Sequence, residues 1–323
     1  MNNELVEKFF DTLAERNRIL RRKRSGQVPP WTDDHIFDRY RFCNVYRDAD
    51  RCSQYFINNF LRGKSFDVTN IVWFAGLWHK TLIPEICEFF KREGMYEHGL
   101  PTYEEYDEDE FRKNNDYYSA VTGKVSFHSI SLVGRAGRYG LIRKIHDSTE
   151  TVVSGIGSKV CATDLITSMG DQGNITFYLY EWFLNIRQAY RLGLIDGDDR
   201  TFSVSEVPFV GPGTVEALKL LFPGDLDDTS GKGQTYRNSI PRLYAAAMRI
   251  YSVAEEYLAK YEGEKLYWDF VTDTWSGKFN LDFHNIEFWL CEFRKYLTLT
   301  GDVNGDKNRE MYDYSKVSVG LFG

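Results

Sequence analysis

The chain has 323 residues, of which 42% are hydrophobic and 27% are charged, and its aromatic share of 16% is high. This composition can bury a large core and excludes a mostly disordered protein. With 40 Lys and Arg against 47 Asp and Glu, the net charge of −7 excludes a basic coat for nucleic acid, so any such contact needs a local patch.

The N-terminal residues 4 to 24 are predicted to form one helix, with Leu5, Phe9 and Leu13 on its apolar stripe. The end of this helix is rich in Arg and Lys, including Arg22 and Arg24, and Gly26 is predicted to stop it. Two interpretations stay open for these cations, which are a solvated helix end and an arm that contacts phosphates.

A second helix is predicted to begin at Thr32 or Asp33 and to run to about Leu61. Its polar positions fall nearly opposite its apolar ones, and by spacing alone they are typical of a solvated face. The apolar stripe consists of Phe42, Val45, Ala49, Cys52 and Phe56, and the polar stripe of Asn44, Arg47, Arg51 and Gln54.

The rest of the chain is predicted to be mostly helical, with two helices in 65–98 and one each in 174–192, 237–261 and 282–298. The pattern is less helical at about 119–150, which reads as an irregular insertion or a small β hairpin. The tail 301–323 is predicted to be loop. We therefore expect a mainly α fold in a single domain, with two helical lobes at about 1–118 and 150–300.

Two glycine turns lie between predicted helices. In each turn an apolar residue is followed by Gly-x-Gly and then by the predicted start of a helix. Glycine allows a positive φ and a close backbone approach. The N–H groups at the following helix N-terminus can bind a phosphate oxygen, as in the helix-hairpin-helix motif that holds DNA without reading its sequence. A plain tight turn remains the alternative. The candidate DNA-binding residues are Gly155, Gly157, Lys159, Gly211, Gly213 and Thr214.

The last predicted helix concentrates ionisable groups, namely His284, Glu287, Glu292 and Lys295. A half-buried glutamate beside aromatic residues can have a raised pKa and act as a general base. The alternative is a surface pair of Glu292 with Lys295. No GxxxxGK[ST] phosphate loop is present in the sequence, so ATP-dependent phosphoryl transfer is not supported.

Cysteine usage and hydropathy indicate the compartment. The five cysteines are scattered and include no CxxC pair, which favours a reducing compartment and argues against a disulfide framework or a zinc site. No stretch approaches the roughly 18 uninterrupted apolar residues of a membrane span, and the N-terminus does not read as a signal peptide. We expect a cytoplasmic protein with no membrane partner and no cofactor, and a need for a divalent metal is left open.

Four segments carry a family resemblance. PPWTDDHIFDRYRFCNVYRDADR (residues 29–51) resembles the opening signature of the α-glutamyl/putrescinyl thymine pyrophosphorylases, which are phage-associated amino acid:DNA transferases of thymine hypermodification. FHNIEFWLCEFRKY (283–296) resembles their closing signature. VGPGTVEALKLLFP (210–223) and GIGSKVCATDL (155–165) are similar to their glycine-containing segments. The same helical module accompanies a P-loop kinase domain in hydroxymethyluracil DNA kinases, and it resembles the helix-hairpin-helix DNA glycosylases.

The resemblance implies a helix-hairpin-helix, glycosylase-like fold and a defined reaction. The substrate would be double-stranded DNA with a pyrophosphorylated hydroxymethyl group on uracil, and the pyrophosphate would be replaced by a small amine or amino acid. This chemistry needs an everted base, cations for the leaving group and an acceptor for the amine proton. Arg47 and Arg51 are the candidate anion clamp. The candidate bases are His284, Glu287 and Glu292, with Lys295 holding an anion or Glu292.

Two other functions stay open, namely a glycosylase or lyase that acts on modified bases, and a non-catalytic DNA-binding module. Asp227 and Asp228 fall short of the spacing at which a glycosylase carries its catalytic aspartate after the hairpin. Asp282 and His284 imitate the glycosylase D-x-H helix start but lie far from both turns. Asn285 stands where relatives carry an acid. A phage-encoded chain would act in the host cytoplasm.

Overall fold

The computed structural model of the chain describes residues 1–78, 83–124, 137–170, 177–261, 281–303 and 311. Within these ranges the protein is mainly helical, as predicted, and the β pairing is limited to an isolated antiparallel bridge between Tyr40 and Met311. The α-helices of these ranges are α1 (Asn3–Arg24), α2 (His35–Arg39), α3 (Arg51–Phe56), α4 (Val68–Leu77), α5 (Ile83–Arg92), α6 (Glu108–Thr122), α7 (Gly137–Gly157), α8 (Ala162–Ser168), α9 (Phe177–Arg191), α10 (Val215–Leu221), α11 (Gly233–Ser252), α12 (Ala254–Leu258) and α13 (Phe283–Thr300).

Short helical turns complete the described secondary structure. They are the 3₁₀ turns Arg47–Ala49, Val204–Glu206, Pro212–Thr214 and Ala259–Tyr261, and a π turn, Ile57–Leu61, that continues α3. None of the helices in the described ranges is long and apolar enough to cross a membrane.

The chain divides into two compact units. The first unit combines both ends of the chain, Met1–Arg51 and Val207–Gly323, and the second unit is Cys52–Glu206. These boundaries fall elsewhere than the limits expected near residues 118 and 150, because the first unit joins segments that are distant in sequence.

In the first unit, α13 packs against α1, α2, α10 and α11. Phe293 of α13 meets Phe9 of α1 edge to face, with ring centroids 5.3 Å apart, and Tyr296 lies 5.1 Å from Phe37 of α2. The helix begins in a capping box, in which the Asp282 side chain accepts the Asn285 N–H and the Asn285 side chain accepts the Asp282 N–H. These contacts fix which side chains of α13 face the rest of the unit.

In the second unit, α4 is the central helix and packs closely against α7 and α9. The indole N–H of Trp182 on α9 donates to the Val72 carbonyl at 2.9 Å. Glycine is required at position 76, because a Cβ there would lie 2.4 Å from Ile145 Cγ2 of α7 and 3.0 Å from the Trp182 ring. The apolar core of this unit depends on that close approach.

The predicted long helix from Thr32 to Leu61 is wrong. Helix α2 ends at Arg39, the chain runs without α-helix through residues 40–50, and helical structure resumes in α3. The apolar and polar stripes are therefore not faces of one helix, and the polar residues Asn44, Arg47 and Gln54 are buried instead of solvated. Tertiary hydrogen bonds to residues 42–50, described below, replace the helical ones.

The expected irregular insertion at 119–150 is helical where the structure describes it. Helix α6 continues to Thr122, and α7 occupies Gly137–Gly157. Glycines in α7 weaken the helical signal, but its buried Ile142, Ile145, Val152 and Ile156 give it an apolar face that packs on α4. Residues 125–136, and the predicted loop at 304–310 and 312–323, lie outside the described residues.

Candidate active site

Residues 42–50 of the first unit form a loop that is built around a buried arginine. Arg16 of α1 is 3% exposed, and it donates through Nε to the Cys43 carbonyl and through Nη2 to the Phe42 carbonyl, both at 3.1 Å, and to Asn44 Oδ1. Within the loop, Asn44 Nδ2 donates to the Ala49 carbonyl at 3.0 Å. We call residues 42–50 the arginine-held loop, because Arg16 satisfies carbonyls that a helix would otherwise satisfy.

The arginine-held loop lies directly against α13. The Cys43 N–H donates to Glu292 Oε2 at 3.1 Å, and the Arg47 guanidinium lies 4.7 Å from the centroid of the Phe288 ring. Guanidinium groups stack favourably on aromatic faces. Residues near the two ends of the sequence, Arg47 and the α13 carboxylates, are thus brought together inside one compact unit.

Glu292 is the most deeply buried carboxylate of this group, with 1% of its surface exposed. Its Oε1 accepts from Lys295 Nζ, and its Oε2 accepts the Cys43 N–H. Burial is the largest single effect and lowers the pKa of Lys295, but the charge and hydrogen bond of Glu292, together with Cys291 and Cys43, outweigh burial, and the net pKa lies above its ordinary value. Lys295 is therefore a fixed ammonium that holds Glu292.

Glu287 is held by the second glycine turn. Its Oε1 accepts the buried Gly211 N–H at 2.9 Å, while Thr214 Oγ1 donates to the Gly211 carbonyl at 2.7 Å. The glycines here do not supply a positive φ, since Gly211 has φ −65°. Gly213 instead allows close packing, because a Cβ there would lie 2.7 Å from Cys291 Sγ. Gly211 and Thr214 are buried, and Gly213 is exposed.

Asp50 ends the arginine-held loop and is half-buried. Its Oδ1 accepts the Asn44 N–H at 2.9 Å. Burial raises the pKa of Asp50 to about 6, against the lowering effect of that hydrogen bond and of Arg47 and Arg16. Asp50 therefore titrates close to neutral pH, where a proton acceptor is most effective.

The two thiols at this place are not activated. Burial, helped by Asp50 and Glu292, raises the pKa of Cys43 well above its ordinary value, and burial also raises the pKa of Cys291. Both sulfurs are therefore protonated at neutral pH, and the thiolate is the nucleophilic form. The arrangement consequently favours proton transfer and anion binding over covalent chemistry at sulfur.

The first glycine turn lies in the second unit, where it joins α7 to α8. The positive φ of this turn, 52°, belongs to Lys159, not to Gly155 or Gly157. Gly155 allows contact between the two helices, since a Cβ there would lie 3.2 Å from Leu165 Cδ1. Gly157 and Lys159 are exposed. At the start of α8, the Ala162 N–H donates to the Arg200 carbonyl at 3.3 Å.

The other candidate residues are placed as follows. Arg22 donates to Glu15 Oε1 at 3.3 Å and to the Trp31 carbonyl, so its guanidinium takes part in closing the turn after α1. Arg24 is in the last turn of the same helix. His284 is 5% exposed and lies 6.2 Å from Phe288, ring to ring. The structure gives the backbone of Arg51 at the start of α3, and its side chain is outside the described part.

Three residues of this contact, Arg16, Asn44 and Asp50, are not predicted to be functional from the sequence. Asn44 and Asp50 lie in the opening signature, where the spacing predicts a helix, and Arg16 belongs to the Arg- and Lys-rich half of α1. A usable signal was the density of Asn, Asp and Arg at residues 44–51, which is high for a helix interior. Among the described residues, no three His, Cys, Asp or Glu side chains come together as a metal cluster.

Comparison with known families gives one match. Residues 3–126 match the model described as the helical domain of the 5-hmdU DNA kinases. This relates more than a third of the chain, including the arginine-held loop, to that helical domain. No curated protein and no solved structure gives a significant match.

Proposed function

We propose that this chain is a transferase that acts on modified thymine in DNA and replaces the pyrophosphate of pyrophosphoryloxymethyl-uracil with an amine or amino acid. The match to the 5-hmdU DNA kinase helical domain supports DNA thymine modification as the process, because that family is named for a hydroxymethylated base in DNA. The resemblance of residues 29–51 and 283–296 to the thymine pyrophosphorylases supports the specific reaction.

One observation carries the proposal, and it is the contact between the arginine-held loop and α13. The Cys43 N–H to Glu292 bond and the Arg47–Phe288 stack join the loop that carries Arg47 to the helix that carries Glu287 and Glu292, which supports the proposal. A reaction that expels pyrophosphate and consumes an amine needs these two kinds of group next to each other. The segments that resemble the opening and closing signatures, 29–51 and 283–296, both contribute to this contact.

The proposed roles follow from chemistry and position. Arg47 and Arg51 bind the departing pyrophosphate, while Glu287, Glu292 and His284 line the place where the amine is used. Gly155, Gly157 and Lys159, the Gly211–Thr214 segment, and Arg22 with Arg24 are proposed to contact the DNA backbone while the target base is everted. The co-substrate is a small amine or amino acid.

The decisive assay is nucleoside mass spectrometry of pyrophosphorylated DNA after incubation with the protein and a panel of amines, including glutamate, putrescine and glycine. A new aminomethyl nucleoside is expected from at least one amine. Arg47→Ala is expected to slow the transfer by about 10²–10³-fold, as expected for loss of a charge-stabilising group. Arg39→Ala, which removes an exposed guanidinium of the same unit, serves as the matched control and should keep full activity.

Abasic sites in the treated DNA would instead identify a glycosylase. The structure gives that alternative little support, because its candidate aspartates have structural partners. Asp228 is exposed and accepts two hydrogen bonds from Arg242, at 2.9 and 3.0 Å, and Asp282 caps α13. Salt-sensitive DNA binding with neither product would identify a non-catalytic module.

A further inference from the structure

Three carboxylates of the arginine-held loop and α13, namely Asp50, Glu287 and Glu292, differ in how strongly they are engaged. Both oxygens of Glu292 accept hydrogen bonds, from Cys43 N–H and from Lys295. Glu287 is 7% exposed and is fastened to the Gly211 N–H. Each of these glutamates therefore anchors the backbone N–H of another segment, and protonation of the carboxylate would weaken that anchor.

Asp50 is engaged differently. Its Oδ1 holds the Asn44 N–H, but its second oxygen accepts no hydrogen bond from any residue in the described ranges. The residue is half-buried, and this oxygen is not among the fully buried, unpartnered side-chain atoms of the described residues, so it keeps some exposure. One carboxylate oxygen thus fixes the orientation of the group while the other is available to a ligand.

Charged groups from α1, from the arginine-held loop and from α13 act on Asp50. Arg16 faces it from α1, Arg47 from its own loop, and Glu292 from α13, and the neutral thiol of Cys43 lies beside it. The two arginines favour the carboxylate, whereas burial and Glu292 favour the acid. Burial is the larger effect, and the pKa of Asp50 is raised to about 6.

We propose that Asp50 is the proton acceptor of the transfer reaction, an inference that rests on the proposed function. The nitrogen of a neutral amine forms a bond to the exocyclic carbon of the base. The bond from that carbon to oxygen breaks, and its electron pair leaves with the pyrophosphate. The nitrogen is then positively charged, and one of its protons passes to the free oxygen of Asp50. Glu287 and Glu292 are positioning residues that hold the second glycine turn and the arginine-held loop.

The test compares unmodified protein with Asp50→Asn, which keeps an acceptor for the Asn44 N–H but cannot take a proton. Asp50→Asn is expected to lose about 10²–10⁴-fold in transfer rate with unchanged DNA affinity. Unmodified protein should show an acidic limb in its pH–rate profile with a midpoint near pH 6. Asp50→Glu should retain part of the activity with a displaced limb, and Asp33→Asn, at an exposed carboxylate of the same unit, should match unmodified protein.

The outcomes separate the two proposals. If unmodified protein transfers an amine but Asp50→Asn stays within about threefold of its rate, Asp50 is not the acceptor while the proposed function stands. If unmodified protein transfers no amine, both proposals fall. If Asp50→Asn does not fold, the acidic limb of the pH–rate profile of unmodified protein is the test. A transfer rate that is flat from pH 5 to 8, or a limb whose midpoint does not move in Asp50→Glu, would overturn the assignment.

Discussion

Replacing Asp50 by asparagine is expected to stabilise the protein near neutral pH and to have much less effect in acid. The pKa of Asp50 is raised from its ordinary value of 3.8 to about 6 by burial. Each pH unit by which a pKa differs between the folded and unfolded states corresponds to about 1.4 kcal/mol. The ionised carboxylate therefore destabilises the folded state by about 3 kcal/mol above pH 6.

The sign follows from linkage. Below pH 3.8 the folded and unfolded states both hold the proton, so ionisation of Asp50 does not lower the free energy of unfolding. As the pH rises through about 6, the folded state must give up a proton that it binds more tightly than the unfolded chain. Asparagine has no such proton. Relative to unmodified protein, the free energy of unfolding of Asp50→Asn should therefore rise by about 2–3 kcal/mol between pH 4 and pH 8.

Urea denaturation at several pH values, followed by tryptophan fluorescence, measures this difference. Comparing each variant with unmodified protein at the same pH removes the contributions of all other titrating groups. Asp33→Asn is the control, because Asp33 is exposed and the argument from burial does not apply to it. A pH-independent difference for Asp50→Asn would show that Asp50 titrates normally, and the argument from burial would be wrong.

Three further substitutions test other contacts by the free energy of unfolding. Gly76→Ala places a Cβ 2.4 Å from Ile145 Cγ2 and should destabilise the second unit by about 1–3 kcal/mol. In the control Gly157→Ala the new Cβ points into open space, and the free energy of unfolding should change by less than about 0.5 kcal/mol. Equal effects of the two substitutions would refute the close packing of α4. Glu292→Gln removes the charge that holds Lys295 and should cost about 1–3 kcal/mol, and an unchanged value would mean that the pair is not formed in solution. Arg16→Met leaves the Phe42 and Cys43 carbonyls without their donor and should cost at least about 2 kcal/mol. Arg16→Met should also speed amide hydrogen exchange in residues 43–50, and Arg16→Lys should give an intermediate exchange rate. Unchanged exchange in these residues would contradict the role given to Arg16.

Helices with a clear apolar stripe could be predicted from the sequence, and the structure confirms them. Helix α1 was expected at 4–24 and occurs at Asn3–Arg24, and α13 was expected at 282–298 and occurs at Phe283–Thr300. In both helices the local signals, an N-cap residue and a glycine after the last turn, agree with the tertiary packing.

The arginine-held loop could not be predicted in this way. Its residues have a helical spacing of apolar side chains, but Arg16, 26 to 28 positions away in sequence, satisfies its carbonyls and Asn44. A contact of this kind depends on side chains from another element, and local spacing contains no information about it. The same limit hid Asp50, whose raised pKa results from its burial in the folded protein.

Some of the candidate site residues could be predicted from the sequence. The resemblance indicated Arg47, Glu287 and Glu292, and all three lie in the first unit. Arg47 stacks on Phe288, which lies between the two glutamates in the sequence of α13. Their catalytic roles stay predictions. Spacing alone suggested that Glu292 and Lys295 form a pair, and the structure adds that this pair is anchored by the Cys43 N–H.

The interleaved make-up of the first unit has a consequence for biosynthesis. As the chain leaves the ribosome, Cys52–Glu206 is complete long before α13 emerges, while α1 and the arginine-held loop still lack the helix against which they pack. Domains generally fold as units during translation, so the second unit can become native while the N-terminal segment waits. Nascent chains that stop before residue 283 would thus carry Arg16, Arg47 and Asp50 without the helix against which the arginine-held loop packs.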